Sequence, residues 1–125
     1  MLHPFERIPS ERRTSLFWAS FLASLIIIFI FAVIGKPLNT PASPSGIVSY
    51  ELAGSVAQAQ AMLDSWDQTA RLYAAFGLGF DYLFMLAYSS AIGLGCIMAA
   101  GALRKHGWPL AQLGGLLAWG QWLAA

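Results

Sequence analysis

Hydrophobic and polar positions divide the chain into three apolar runs, with one long polar stretch between the first two and a short charged turn before the third. The first run, Leu16 to Ile34, is nineteen residues without a charge. The second, Leu72 to Leu103, is thirty-two residues with one charge, Asp81. The third, Trp108 to Ala125, is eighteen residues with Gln112 and Gln121 but no charge. A helix rises about 1.5 Å per residue, so roughly twenty apolar residues cross a hydrocarbon core of about 30 Å. Each run is therefore expected to form a transmembrane helix. The second would be about 48 Å long and would project beyond the membrane. The third stops at Leu-Ala-Ala without a polar flank, so the expectation is either an end that barely reaches the outer surface or a continuation that would add another span.

The polar stretch has two patterns. Lys36 to Gly46 holds Pro37, Pro41 and Pro44 among Ser, Thr and Asn, which marks a loop. Beyond it, Leu52, Val56, Ala59, Leu63 and Trp66 recur at spacings of four, three, four and three, the pattern of one helix face. An amphipathic helix over about 47–68 is expected, with Gln58, Gln60, Asp64 and Ser65 on or near its polar face. That face has no lysine or arginine, which favours packing onto protein over lying among lipid headgroups. The expected fold class is thus all-α: an integral membrane helical bundle of three transmembrane helices plus an outer amphipathic helix. Its segments are an N-terminal stretch 1–15, spans 16–34, 72–103 and 108–125, an outer loop 35–71 and a turn 104–107.

Composition agrees with this picture. The chain is 58% hydrophobic and 10% charged, against about 25% charged residues in soluble domains. A net charge of +1 favours neither nucleic acid nor an acidic partner. Glu6, Arg7, Glu11, Arg12 and Arg13 sum to +1, the Arg104-Lys105-His106 turn is positive, and Lys36 to Arg71 sums to −1. The positive-inside bias then puts the N-terminus in the cytoplasm and the long loop outside. The location read from this is a bacterial cytoplasmic (inner) or intracytoplasmic membrane, crossed several times. Arg12-Arg13 before an apolar run invites a twin-arginine export reading, but the run is too long for a signal and no small-x-small site follows it. The anchors expected at the interfaces are Arg12, Arg13, Arg104, Lys105, Trp108, Trp119 and Trp122, with Thr14 or Ser15 capping the first span. Cys96 has no second thiol and reads as a small packing residue.

Ala75, Gly79, Ala87, Ala91, Gly95 and Ala99 recur every four residues in the second run and are expected to form a helix-packing face. Counting twenty residues back from Leu103 puts the outer boundary near Phe84, with Asp81 just outside it. Three roles are open to Asp81: a carboxylate held by local donors, a ligand or partner contact sharing a pocket with Tyr88, Glu51 and Arg71, or a proton or ion relay. The relay reading lacks a series of ionisable groups, since below Asp81 the second run offers only Tyr88, Ser89, Ser90 and Cys96. No catalytic set is present: there is no second carboxylate within a run, no His-Glu pair at metal spacing and no nucleophilic serine setting. His3 and His106 fall outside the runs. No enzyme activity, metal or resident cofactor is expected.

The succession Ser45-Gly-Ile-Val-Ser-Tyr-Glu51, Ser65-Trp66, Gly79-Phe-Asp81-Tyr-Leu-Phe84 and Ala87-Tyr88-Ser89 resembles a group of small uncharacterised bacterial integral membrane proteins. The resemblance covers Pro44 to Cys96. It implies four spans, the last bearing an acidic residue, and a polar cluster of Glu51, Asp81 and that residue beyond Ala125. It implies no activity. The expected function is a non-catalytic accessory subunit of a larger photosynthetic or respiratory membrane complex, packing against other integral subunits and holding lipid or pigment. The alternative is a small transporter or ligand-binding protein with a pocket around Asp81, Tyr88 and Glu51.

Overall fold

A computed structural model describes residues 3–107 and 111–124. The chain is all-helical, 83% helix, with no strand among the described residues. A 3-10 turn at Pro4–Arg7 precedes five α-helices: α1 Ser10–Ile34, α2 Ile47–Glu51, α3 Val56–Ser65, α4 Gln68–Lys105 and α5 Ala111–Ala124. Two of them, α1 and α4, are long and apolar enough to span a membrane. The described part of the third run is α5, 14 residues or about 21 Å of helix; residues 108–110 and 125 of that run lie outside the described residues.

The boundaries depart from the pattern in ways that have local causes. α1 begins at Ser10, not at the apolar residues after Ser15, because the Pro9 carbonyl accepts from the N–H groups of Arg12 and Arg13 and starts the helix two turns early. Neither Thr14 nor Ser15 caps it, and both arginines ride on the helix. The single amphipathic helix over 47–68 is two helices, α2 and α3, broken at 52–55. Gly54 weakens helix there, and Ser55 restarts it as an N-cap: its hydroxyl accepts from the Gln58 N–H while the Gln58 side chain accepts from the Gly54 N–H. α4 starts likewise, with the Asp67 carboxylate accepting from the Ala70 N–H at 2.7 Å. It ends at Lys105, and Gly107 supplies a left-handed turn at φ 69°.

The chain divides into a central unit, Ile26–Tyr82, and a terminal unit formed by Met1–Leu25 and Leu83–Ala125. The central unit has a small core of Leu38, Trp66, Ala70 and Ala74, with Ile47, Tyr50 and Leu63 packed on it. The proline-rich 36–46 loop is ordered by hydrogen bonds. The Trp66 indole N–H donates to the Leu38 carbonyl at 2.8 Å and to Ser43 Oγ at 2.9 Å, and Ser43 Oγ also donates to Leu38 at 2.6 Å. Thr40 Oγ1 links Ser43 Oγ at 3.0 Å and Ser65 Oγ at 2.7 Å. Gly46, at φ 58°, turns the chain into α2 where any side chain would strain the backbone and meet Asn39. Of the face drawn by spacing, Trp66 is buried and Leu63 packs on the core, but Leu52 and Val56 are 78% and 86% exposed; Met62, outside that pattern, is buried.

The terminal unit is assembled on glycines. A Cβ on Gly114 of α5 would stand 2.5 Å from Ala100 Cβ and 2.7 Å from the Cys96 carbonyl oxygen, so α5 meets α4 at backbone distance. Gly95 receives the Phe17 ring and Gly93 receives the Phe5 ring, the latter 2.9 Å from where a Cβ would be. The small-residue face drawn from the sequence is not one face. Among its members Ala91 is buried, Ala87 and Gly95 are half-buried, and Ala75, Gly79 and Ala99 are exposed. A repeat of four at about 100° per residue drifts about 40° per step, so over these positions it winds most of the way round the helix. The residues that pack are Ala70 and Ala74 in the central unit and Gly93, Leu94, Ile97 and Ala100 in the terminal one.

Candidate functional site

In the central unit, the pairing of α1 with α4 fixes where Asp81 stands. Ile34 contacts the open side of Gly77 and the Phe31 ring lies 5.9 Å from that of Phe80, so the two helices run antiparallel there. Asp81 is thus level with about Ile30, some 6 Å inside the last residue of the first apolar run. A count of twenty residues from Leu103 places it outside a boundary near Phe84, whereas the pairing sets it level with Ile30 of the first apolar run. Asp81 is exposed and makes no hydrogen bond or ion pair among the described residues.

The other members of the expected pocket do not join it through any such bond. Glu51, the last residue of α2, is exposed. Arg71 is committed elsewhere: its Nε donates to the carbonyls of Leu63 and Trp66, both at 3.1 Å, closing the C-terminal end of α3. Its Nη2 is 3.8 Å from Asp64, an exposed pair of little energetic weight. Tyr88, in the terminal unit, is half-buried with its ring 5.0 Å from that of Phe84.

Two features of the terminal unit were not visible as patterns. The first is the N-terminal turn. His3, expected in a polar cytoplasmic stretch, is fully buried, 5.0 Å from the Phe5 ring and 4.9 Å from each of Trp119 and Trp122. This cluster is level with Gly93, roughly 18 Å along α4 from Lys105. Trp119 and Trp122, expected as interfacial anchors, enclose the chain's own N-terminal turn. Trp108 lies outside the described residues. His3 Nδ1 accepts from the Phe5 N–H at 3.2 Å, which assigns the proton of the neutral ring to Nε2. Burial holds the imidazole below its ordinary value, opposed by the Glu6 carboxylate. Nε2 and the Trp119 indole nitrogen are buried donors with no partner among the described residues.

The second feature is a cleft lined by Glu6, Arg13 and Arg104. Arg13 does not serve as a free anchor. Its Nε donates to the Ile8 carbonyl and its Nη2 to the Glu6 carbonyl, both at 2.8 Å, tying the 3-10 turn to α1. Arg104 and Lys105 at the end of α4 are exposed, as is Arg12. Glu6 and Arg13 are brought together by the bend at Pro9, which no periodicity in the sequence encodes. Among the described residues no group of three His, Cys, Asp or Glu side chains is placed to hold a metal ion. No protein-family model, curated protein or solved structure matches this chain.

Proposed function

We propose that this chain is an integral membrane protein, its N-terminus cytoplasmic, that acts as a non-catalytic accessory subunit of a larger bacterial membrane complex. The observation that carries the reading is the bareness of α1: only 11% of its most apolar stretch is buried by the rest of the chain. Ile26 is 60% exposed and Phe29 70%. Water would penalise that surface heavily, whereas lipid and neighbouring helices cover it at no cost. Asp81 adds a reason for a protein neighbour. An exposed, unpaired carboxylate one turn inside an apolar run is expensive in lipid alone and is relieved by a donor or cation on an adjacent subunit. α5 and the N-terminal turn complete the bundle from one side, with lipid or pigment filling what they leave. The rival reading, a transporter pocket around Asp81, Tyr88 and Glu51, has less support, because Arg71 is bound to carbonyls and Glu51 and Asp81 are exposed and unlinked by any bond.

The test is purification of the full chain in a mild detergent, with mass measurement of the solubilised particle. A defined assembly containing other integral proteins is expected. A stable, monodisperse monomer without partners overturns the accessory-subunit reading.

A further inference from the structure

The terminal unit contains a cleft of about 130 Å³ whose floor is Ile97, Ala100 and Gly101 of α4 and Gly115 of α5, and whose rim is Glu6, Arg13 and Arg104. That volume is below the roughly 300 Å³ at which ordinary small-molecule pockets begin, so it suits a small polar group. The three rim charges do not neutralise one another: no carboxylate oxygen of Glu6 lies within ion-pair distance of either guanidinium. Arg13 is held rigid by the Ile8 and Glu6 carbonyls, which use Nε and one Nη2 hydrogen and leave the Nη1 hydrogens free. Arg104 makes no hydrogen bond among the described residues and sits in the last turn of α4. Glu6 is half-buried, its Oε1 3.8 Å from where a Cβ on Gly115 would stand, ordinary contact distance, so the carboxylate lies over α5 at that glycine.

Two guanidiniums, one of them held rigid, and one carboxylate, gathered around an apolar floor and unpaired with one another, complement a ligand that carries both signs. Guanidinium forks match phosphate oxygens, and a carboxylate accepts best from a primary ammonium. We propose that this cleft binds a phosphoethanolamine group, phosphate on Arg13 and Arg104 and ammonium on Glu6, presented as the headgroup of a membrane lipid. The lipid assignment rests on the membrane reading above, under which the charged ends of α1 and α4 lie at headgroup level, with the exposed apolar flank of α1 beside them for acyl chains. Choline headgroups have the phosphate but no N–H for Glu6, and glycerol headgroups have no cation.

Native mass spectrometry of the full chain in detergent, given equal amounts of phosphatidylethanolamine, phosphatidylcholine and phosphatidylglycerol with the same acyl chains, tests the proposal. Phosphatidylethanolamine should be retained roughly tenfold over the other two, the effect of one hydrogen bond to a charged group. Glu6→Gln should level phosphatidylethanolamine with phosphatidylcholine, Glu6→Asp should keep part of the preference, and Arg104→Gln should weaken all three lipids. Circular dichroism checks that each variant folds. Equal or better retention of phosphatidylglycerol, unmoved by Glu6→Gln, overturns the proposal. Displacement of the lipid by micromolar glycerophosphoethanolamine would overturn the lipid source and assign the same chemistry to a soluble ligand; no displacement supports the lipid. Alkaline carbonate extraction separates the two levels. A chain released from membranes refutes the membrane reading itself, whereas a retained chain without headgroup preference refutes only this site.

Discussion

The central and terminal units solve the same problem, holding helices of low polarity together, by opposite means. The central unit gathers hydrogen bonds on one indole: Trp66 reaches the 36–46 loop across 23 and 28 residues of sequence, and Ser43, Thr40 and Ser65 extend the network. The terminal unit removes side chains, so that Gly93, Gly95 and Gly114 admit two rings and a helix backbone. A polar network suits a segment that water reaches, where buried N–H and C=O groups must be paired and a proline-rich loop would otherwise wander. Close packing on glycine suits an environment where burying apolar surface gives no advantage and dispersion contacts decide. The contrast is between a polar network gathered on one indole and close packing made possible by missing side chains.

The largest break in that contrast should come from Trp66→Ala, which removes the core of the central unit and leaves the Leu38 carbonyl and Ser43 with fewer partners. A loss of about 3–5 kcal/mol is expected. Limited proteolysis should then cut within 36–46, while the contacts of the terminal unit stay protected. Gly114→Leu is the converse. The added side chain has Ala100 and the Cys96 carbonyl in its path, both on α4, so relief requires α5 to move, at a cost of about 1–3 kcal/mol or more. Cysteine accessibility reads it directly: Cys96 should become more reactive to a membrane-permeant maleimide, with the 36–46 loop still resistant to protease. If either variant loosened both units equally, the two would not be separate cooperative parts.

The helices were legible because their signals are local. Apolar run length located α1 and α4, whereas the Ser55 and Asp67 caps were missed, both falling inside the single helix expected over 47–68. What was not legible depended on contacts between distant residues. The packing face of α4 was misassigned because a four-residue repeat winds around a helix, and the residues that pack were set by where Phe5, Phe17 and Gly114 arrive. Leu52 and Val56 kept perfect helical spacing across Gly54, but the break there turned them outward. The cleft of Glu6, Arg13 and Arg104 depends on the bend at Pro9 and on two hydrogen bonds to main-chain carbonyls. His3 gave no signal at all: a histidine three residues from the start of a polar segment is found buried only because Trp119 and Trp122 enclose it.

That buried histidine is expected to give the terminal unit an acid sensitivity of its own. Its imidazole is held below the ordinary value by burial, with Glu6 the one charged group opposing the shift. The unfolded chain therefore binds a proton more readily than the folded one as pH falls below about 6.5, so stability is present above that value and declines beneath it. Intrinsic fluorescence should report this, since Trp119 and Trp122 contact the ring. Lowering the pH from 7.5 to 5 should shift their emission in the wild type and much less in His3→Phe, with the Trp66 environment as the internal control. An identical response in His3→Phe would assign the acid sensitivity to another group.

The smallest expected effect on the chain itself is at Gly79, and it is the one that reaches furthest toward function. A Cβ added there meets nothing within 4 Å, so Gly79→Ala should change stability by less than about 1 kcal/mol and in the stabilising direction, the helix propensity gained without a clash. Gly79→Leu should be nearly as mild for the isolated chain. Gly79 lies on the same side of α4 as Tyr82, three residues on and 70% exposed, a bare surface open to a neighbouring helix. In the assembled complex the leucine should therefore cost far more than in the isolated chain, because it occupies space that a partner helix needs. Loss of co-purifying subunits in Gly79→Leu at unchanged thermal stability of the chain would locate the docking surface on this side of α4. Retention of every partner would move that surface to the bare face of α1, around Ile26 and Phe29.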